Sequence, residues 1–383
     1  MLKRFIIIAL CMAMVFAMSA CKPAEEATEP AAPAPATTPD DDAPAVEPQA
    51  DGDSFKICYF GGGMQATWLQ LVLKSMTECG RQHGYEVINA DAEWNGDKML
   101  SQIDQLMDEI DGGAIFLVDP GIGAAVYDRF EAAGKPLTFE TMPVFRADGK
   151  FGAPGVLADT DGMGRVPAEW TIAHIEDLGF DTADFSKVGL MLGTNGIFPP
   201  TDDRAQEYRR VFTEEYPDFP EANIFVCDVS ADPNRPDDTE GAYNMAMTIF
   251  TANPQIEQWL VYGSVDDYAV GMARAIEASG LKPNAKLMSV GGERAIPEWI
   301  DNPAVNEYWI AELYFNTMQY SKYMDEALIG MIREGKDRTE VLTDYILPGE
   351  EVGVGFIIGD MVTPNGELGT IAYSDLPDYL PGY

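Results

Sequence analysis

The chain of 383 residues carries 25 Lys and Arg against 63 Asp and Glu, a net charge of −38, two His, five Cys and 46% hydrophobic residues. That length and apolar fraction describe a globular chain of more than one domain, not a coiled coil, a collagen or a wholly disordered polymer. So acidic a balance repels phosphate backbones and anionic headgroups, which excludes nucleic acid and a charge-driven membrane surface as main partners, and two histidines leave little basis for histidine-rich metal chemistry.

Lys3 and Arg4 precede sixteen uncharged residues, 5–20, and then Cys21. A positive start and a short apolar run read as a secretory signal, and sixteen residues are short for the roughly 20 that a bilayer span needs. Ser19 and Ala20 before Cys21 resemble the bacterial lipoprotein processing box, with Met18 standing where Leu is usual. The resemblance implies that Cys21 is lipidated and that the protein is extracytoplasmic, held to the cell membrane through that anchor alone. Residues 22–53 hold seven prolines, nine acidic residues and one Lys, with almost no large apolar side chain. Such a stretch buries too little surface to offset its ordering entropy and reads as a disordered tether, with a reach of up to ~100 Å.

From residue 54 onward strands and helices alternate. A β-prone run at 55–60 leads to Leu69, Val72, Leu73 and Met76 at helical spacing, broken by Gly80 and Gly84. A strand follows at 85–90, then an apolar stripe of Met99, Ile103, Leu106, Met107 and Ile110. A continuous apolar run at 114–118 reads as a strand covered on both faces. A helix over 123–133 ends before Gly134 and Pro136, and another strand follows at 136–140. The alternation resumes with strands at 188–192, 224–229, 259–262 and 287–290 and helices at 203–215, 240–251, 268–279 and 295–300. The pattern predicts an α/β fold with two doubly wound parallel sheets of about five strands each. Cys58, Cys79 and Cys227 fall in predicted strand, helix and strand, where a buried thiol is the commoner state; spacing leaves a Cys58–Cys79 disulfide open.

Ligands of open parallel sheets bind beyond the carboxyl ends of the strands. Those positions hold 61–68 with Gln65 and Trp68, Asp119, the Glu140–Thr141 pair, 195–204 with Asn195 and Arg204, Asp266, and Glu293. Carboxylates accept from hydroxyls, arginine donates to ring oxygens, and an indole covers the apolar face of a sugar, so the set suits a polyhydroxylated ligand.

Five phrases, "GYEVINADAEWNGDKMLSQIDQLM" from Gly84, "GGAIFLVDP" from Gly112, "AAGKPLTFET" from Ala132, "WLVYGSVDDYAVGMARAIEASG" from Trp259 and "LMSVGGERAI" from Leu287, occur in an order that resembles the type I periplasmic sugar-binding proteins of ABC importers, the arabinose-binding branch above all. The resemblance implies two lobes joined by three crossings, residues 54–157 with 307–340 and 158–306 with 341–383, closing on a monosaccharide that is delivered to a permease. It implies a monomer without a cofactor, and it makes Trp68 the aromatic that stacks on the sugar and Arg204 a ligand contact. Three positions depart from the family pattern: Val265 precedes Asp266 where Asn is usual, Glu293 replaces Asp or Asn, and Glu312 replaces Gln. One amide is lost and carboxylates are gained, which raises an amino sugar as an alternative ligand.

Plainer readings stand beside these. Trp68 also reads as a packing tryptophan, and Arg204 as a helix-surface arginine paired with Asp203 or Glu207. The methionines read as core filling. Asp232, Asn234, Asp237 and Asp238 lack the spacing of a calcium loop. The chain has no P-loop, HExxH, CxxC or GxSxG signature, and neither His83 nor His174 has a nucleophile near it in sequence, so no metal, cofactor or catalytic group is assigned. A nucleoside- or signal-molecule-binding lipoprotein is the alternative function, and a secreted carbohydrate-active enzyme built on carboxylates such as Asp266 and Asp267 a further one.

Overall fold

The computed structural model describes residues 54–231, 237–316, 318–357 and 359–376. The residues expected to form an export signal and a tether, Cys21 between them, Asp232 and Asn234 of the acidic loop, and the last seven residues lie outside the described residues.

The first sheet grows from β1 (Lys56–Gly61), α1 (Thr67–His83), β2 (Glu86–Asp91), α2 (Gly96–Leu106), β3 (Gly112–Phe116), α3 (Gly123–Ala133), β4 (Leu137–Glu140) and β5 (Gly155–Ala158). The chain then crosses into α4 (Thr160–His174), β6 (Val188–Thr194), α5 (Pro199–Glu215), β7 (Ile224–Asp228), α6 (Asp238–Ala252), β8 (Gln258–Gly263), α7 (Asp266–Ala278), β9 (Ala285–Gly291), α8 (Ala295–Asp301) and β10 (Trp309–Tyr314). It returns through α9 (Gln319–Leu328) and β11 (Val354–Ile357), and crosses once more to β12 (Asp360–Thr363) and β13 (Ile371–Ala372).

Local chemistry sets the element ends. Asn95 Oδ1 accepts from Lys98 N at 2.9 Å to start α2, and Asp159 and Asp237 cap α4 and α6 in the same way. Gly84 closes α1 at φ 75°, where a side chain would be strained, and its N–H returns to Gly80 O. Every residue of β3 and of β6 is buried, as expected for central strands with helices on both faces.

The sheets have six strands in the order β11-β5-β4-β3-β1-β2 and seven in the order β13-β12-β10-β9-β8-β6-β7. The first is parallel throughout; in the second, β12 runs antiparallel to β10. Both sheets exceed the expected five strands because short strands beyond the regular alternation join their edges. Two boundaries also move. Residues 309–314, expected in the first lobe, pair with β9 in the second sheet, and 354–357, expected in the second lobe, pair with β5 in the first. Pairing partners are chosen by sheet edges, which the alternation of elements does not encode. The stretch from Asp360, beyond the last strand read from the sequence, contributes β12 and β13 to the second sheet.

No disulfide joins the cysteines of the described residues: Cys58, Cys79 and Cys227 are buried thiols, and burial pushes Cys58 and Cys227 up to about 12.

Candidate functional site

Strand order reverses between β1 and β3 in the first sheet and between β6 and β8 in the second. At such a switch point the two connections leave in opposite directions and open a crevice at the carboxyl ends of the strands. The chain fills both crevices with the residue types singled out above.

On the first-lobe side Glu140 ends β4 with no exposure, its Oε1 accepting from Tyr59 Oη at 2.7 Å and its Oε2 from Thr141 Oγ1 at 2.9 Å. Burial without a cation raises its pKa to about 7, the two hydroxyls pulling it partly back. Thr141 is held at φ 60° with its N–H on Val156 O at 2.8 Å, and its side chain also meets the Tyr320 hydroxyl from α9. A threonine in the left-handed region is strained, and such strain persists where the surroundings over-determine it. Beside this polar group stands an aromatic wall. Phe116 is buried with Trp68 edge-on at 5.0 Å and Trp94 edge-on at 5.8 Å, and Phe198 of the second lobe lies 6.2 Å away. Trp94 is 44% exposed and is held at φ 57°.

On the second-lobe side Arg204, 5% exposed, donates from Nη1 to Ser264 O at 2.9 Å, tying α5 to the end of β8 across the switch point. Its guanidinium lies 6.0 Å from the Phe315 ring, and its Nε has no protein partner. Asp266 Oδ2 accepts from three backbone N–H groups, Gly292 at 2.9 Å, Arg294 at 2.7 Å and Ala295 at 3.2 Å. These bonds hold the turn between β9 and α8, where Gly291 and Gly292 take φ 138° and 110° and a Cβ on Gly292 would sit 2.3 Å from the Tyr314 ring. The turn presents Glu293, half-buried, whose carboxyl is raised by burial and by the nearby Asp266 charge. Glu312, with no exposure, accepts from Ser289 Oγ. Arg204 and Glu293 both reach Tyr320 of the first lobe electrostatically, so the two halves converge on one space.

Of the residues expected at the site, Glu140, Thr141, Arg204, Asp266, Glu293 and Glu312 therefore come together. The surface-arginine reading of Arg204 is overturned by its burial and its bond to Ser264 O. Asn195 lies beside them, 7% exposed, with its Oδ1 taking Ile197 N at 3.2 Å and its side chain meeting the Tyr268 hydroxyl. Asp119 is exposed and its Oδ1 accepts from Gly121 N at 2.7 Å, closing a local turn instead of reaching the cluster. Gln65 is exposed on the turn before α1. Trp68 is half-buried and packs on Phe116, which joins its two readings: a packing residue placed at the crevice wall. Sequence reasoning did not single out Tyr59, Phe116 and Ser289, which lie in apolar runs and read as core, nor Trp94, Phe198 and Tyr320, whose polar neighbours in sequence give no sign of what they pack against; position at the switch point is the one signal that could have pointed to Phe116.

Asp266, Asp267, His83 and His174 each have a partner among the described residues. Asp267 is ion-paired with Arg294, Asp266 holds the turn, His83 pairs with Asp325 at 2.9 Å, and His174 faces Asp177 at 3.6 Å.

Residues 57–318 match the model of the periplasmic binding protein domain. The chain belongs to that family. It is 23% identical over 309 residues to the L-arabinose-binding periplasmic protein of Escherichia coli (strain K12), which covers 72% of this chain and 85% of that protein. Its fold matches the Caulobacter myo-inositol binding protein bound to myo-inositol with a TM-score of 0.64 at 16% identity, covering 85% of this chain and 97% of the other. An ABC transporter periplasmic solute binding protein from Actinobacillus succinogenes 130z with bound D-allose superposes with a TM-score of 0.61 at 16% identity, over 80% and 97% of the two chains. The two parallel-sheet lobes of this chain are thus the type I periplasmic binding fold.

Proposed function

We propose that this protein is an extracytoplasmic solute-binding protein that captures a monosaccharide or a related cyclic polyol in the crevice between its lobes and delivers it to an ABC transporter permease. One observation carries the reading: polar groups from both lobes, buried Glu140 with half-buried Thr141 on one side and buried Arg204 with half-buried Glu293 on the other, converge beside an aromatic wall. A polyol has hydroxyls at its rim and C–H groups on its faces, and this pairing of hydrogen-bonding groups with ring faces serves both. The arabinose-, allose- and myo-inositol-binding relatives favour the same ligand class.

The chemistry is capture without turnover. Ligand held by one lobe gains contacts when the other closes on it, and the closed population rises by the difference in affinity between the two states. The crossings after β5, β10 and β11 are short and are the places for the hinge. Cys21, lipidated, would hold the protein at the membrane with the 22–53 segment as tether, and the permease would read the surface that closure creates.

The test is the melting temperature of the protein against pentoses, hexoses, inositols, amino sugars and nucleosides. A ligand at ~100 times its Kd adds about 2.7 kcal/mol and shifts the melt visibly. A shift with one sugar or inositol and no product on long incubation is expected; a shift with nucleosides alone, or with none of the panel, overturns the ligand class. Separately, a Cys21→Ser variant is expected to leave the membrane fraction while binding unchanged, and retention there would remove the anchor.

A further inference from the structure

The second-lobe wall of the crevice sets three carboxyls, Asp266, Glu293 and Glu312, against the single guanidinium of Arg204, and Arg204 donates to a backbone carbonyl instead of to any of them. The arrangement of Glu312 is the most demanding. Its Oε2 accepts from Ser289 Oγ, which itself receives Trp309 Nε1 at 2.8 Å and lies 3.5 Å from Asp266 Oδ1. Its Oε1 is buried without a donor from any hydroxyl, amide or cation. The Glu312 and Asp266 carboxyls thus flank one hydroxyl, Ser289 Oγ, which lies within hydrogen-bonding reach of both. Ser289 has a single hydroxyl proton to give to two carboxylates, which have only acceptors to offer, and two buried carboxylates converging on one donor do not both ionise.

The surroundings decide which member carries the proton. Asp266 accepts three backbone N–H groups, which favour its ionised form, whereas Glu312 has one hydroxyl donor. The other ionisable groups around the pair are Glu293 from the turn after β9, Tyr262 from β8, Asp267, itself paired with Arg294, and, beyond Glu293 and Tyr262, Arg204 from α5. Opposite Glu312, β12 presents Val362, and the buried residues of α4 include no charged group. Among the described residues no three His, Cys, Asp or Glu side chains are arranged to hold a metal ion that would bind the two carboxyls together instead.

We propose that Asp266 and Glu312 share one proton, carried by Glu312, so that Asp266 is the ionised clamp of the β9–α8 turn and Glu312 enters the crevice wall as a neutral acid with one donor and one acceptor, as an amide would have. Asp266 acts as a positioning residue, through the turn that carries Glu293. With Glu312 neutral the wall carries one negative charge fewer, and so suits an uncharged polyol better than it would with all three carboxyls ionised. Burial raises Glu312 well above the usual carboxylate range and the Asp266 charge raises it further, in line with the geometry.

Infrared and carbon-13 NMR spectra of the ligand-free full-length protein, labelled at glutamate carboxyls, test this without reference to any ligand. At neutral pH the protonated-carboxyl signal, to which Glu140 and Glu293 also contribute, is expected to lose one carboxyl in Glu312→Gln, while Glu312→Gln melts within a few degrees of the wild type and Glu312→Ala melts well below both. A wild type whose Glu carboxyls are all ionised at neutral pH overturns the proposal, as does a spectrum unchanged by Glu312→Gln or a melting temperature that rises with calcium in the wild type but not in Glu312→Gln. Should Glu312→Gln not fold, the spectrum of the Glu140→Gln, Glu293→Gln double variant decides: a protonated glutamate carboxyl must remain there at neutral pH. A sugar panel that gave no binding would remove the proposed ligand class and leave this result standing.

Discussion

The two sides of the crevice meet the same problem, a buried carboxyl at the end of a parallel strand, in different ways. Glu140 in the first lobe is satisfied by side-chain hydroxyls from Tyr59 and Thr141, groups that turn toward a neutral acid or a carboxylate alike. Asp266 in the second lobe is satisfied by three N–H groups of a glycine-bearing turn, fixed donors that prefer the charge and cannot turn away. The first side is therefore adaptable and sits against aromatic rings; the second is rigid and carries the one arginine. Rotatable donors tolerate a change of protonation, and backbone donors tie protonation to conformation.

That contrast can be broken most severely at Asp266. Asp266→Ala strands three buried N–H groups and removes the partner of Glu312, and is expected to destabilise the protein by ~3 kcal/mol or more, read as a lower urea midpoint. A loss below ~1 kcal/mol would mean that the turn holds itself. Next, Arg204→Met removes the second lobe's cation at a site 5% exposed; it should weaken ligand binding by ~2 to 3 kcal/mol in titration calorimetry, roughly a hundredfold. Equal affinity would place the ligand elsewhere. Gly292→Ala forces a Cβ into the Tyr314 ring at φ 110° and should cost about 2 kcal/mol in the same urea assay, with no counterpart on the first side.

The smallest effect sharpens the comparison through pH. A folded-state pKa of about 7 for Glu140, against ~4.3 unfolded, means that the native state binds the proton more tightly. Its contribution is fully present below ~4.3 and is lost as pH rises toward 7, at about 1 kcal/mol per unit. Glu140→Gln lacks this titration, so the difference between variant and wild-type melting temperatures should rise across that window and level off above it; a flat difference would mean that Glu140 is ionised throughout.

Much of the fold is legible in the chain. The strand at 114–118 and the helix at 123–133 lie within two residues of β3 and α3, because continuous apolar runs and glycine stops act locally. Residues 309–314 and 354–357 went to the wrong lobes because a short apolar strand fits either edge, and only the free edge left by β9 or β5 selects it. At the site, carboxyl-end positions pointed to Glu140, Arg204, Asp266 and Glu293, and the family resemblance to Glu312, before any coordinates. The same rule pointed to Asp119, whose carboxyl turns back on Gly121, since a rule about strand ends says where a residue lies and not where its side chain bonds.

The sequence by itself determined the alternation of strand and helix, the switch-point positions and the acidic character of the crevice, all consequences of local pattern and charge. Tertiary structure decided which strands join which sheet, brought Tyr320 from α9 against Thr141, and set Glu312 against Asp266. A carboxyl's protonation depends on its neighbours in space and on its distance from water, and the spacing of residues 266 and 312 along the chain contains neither.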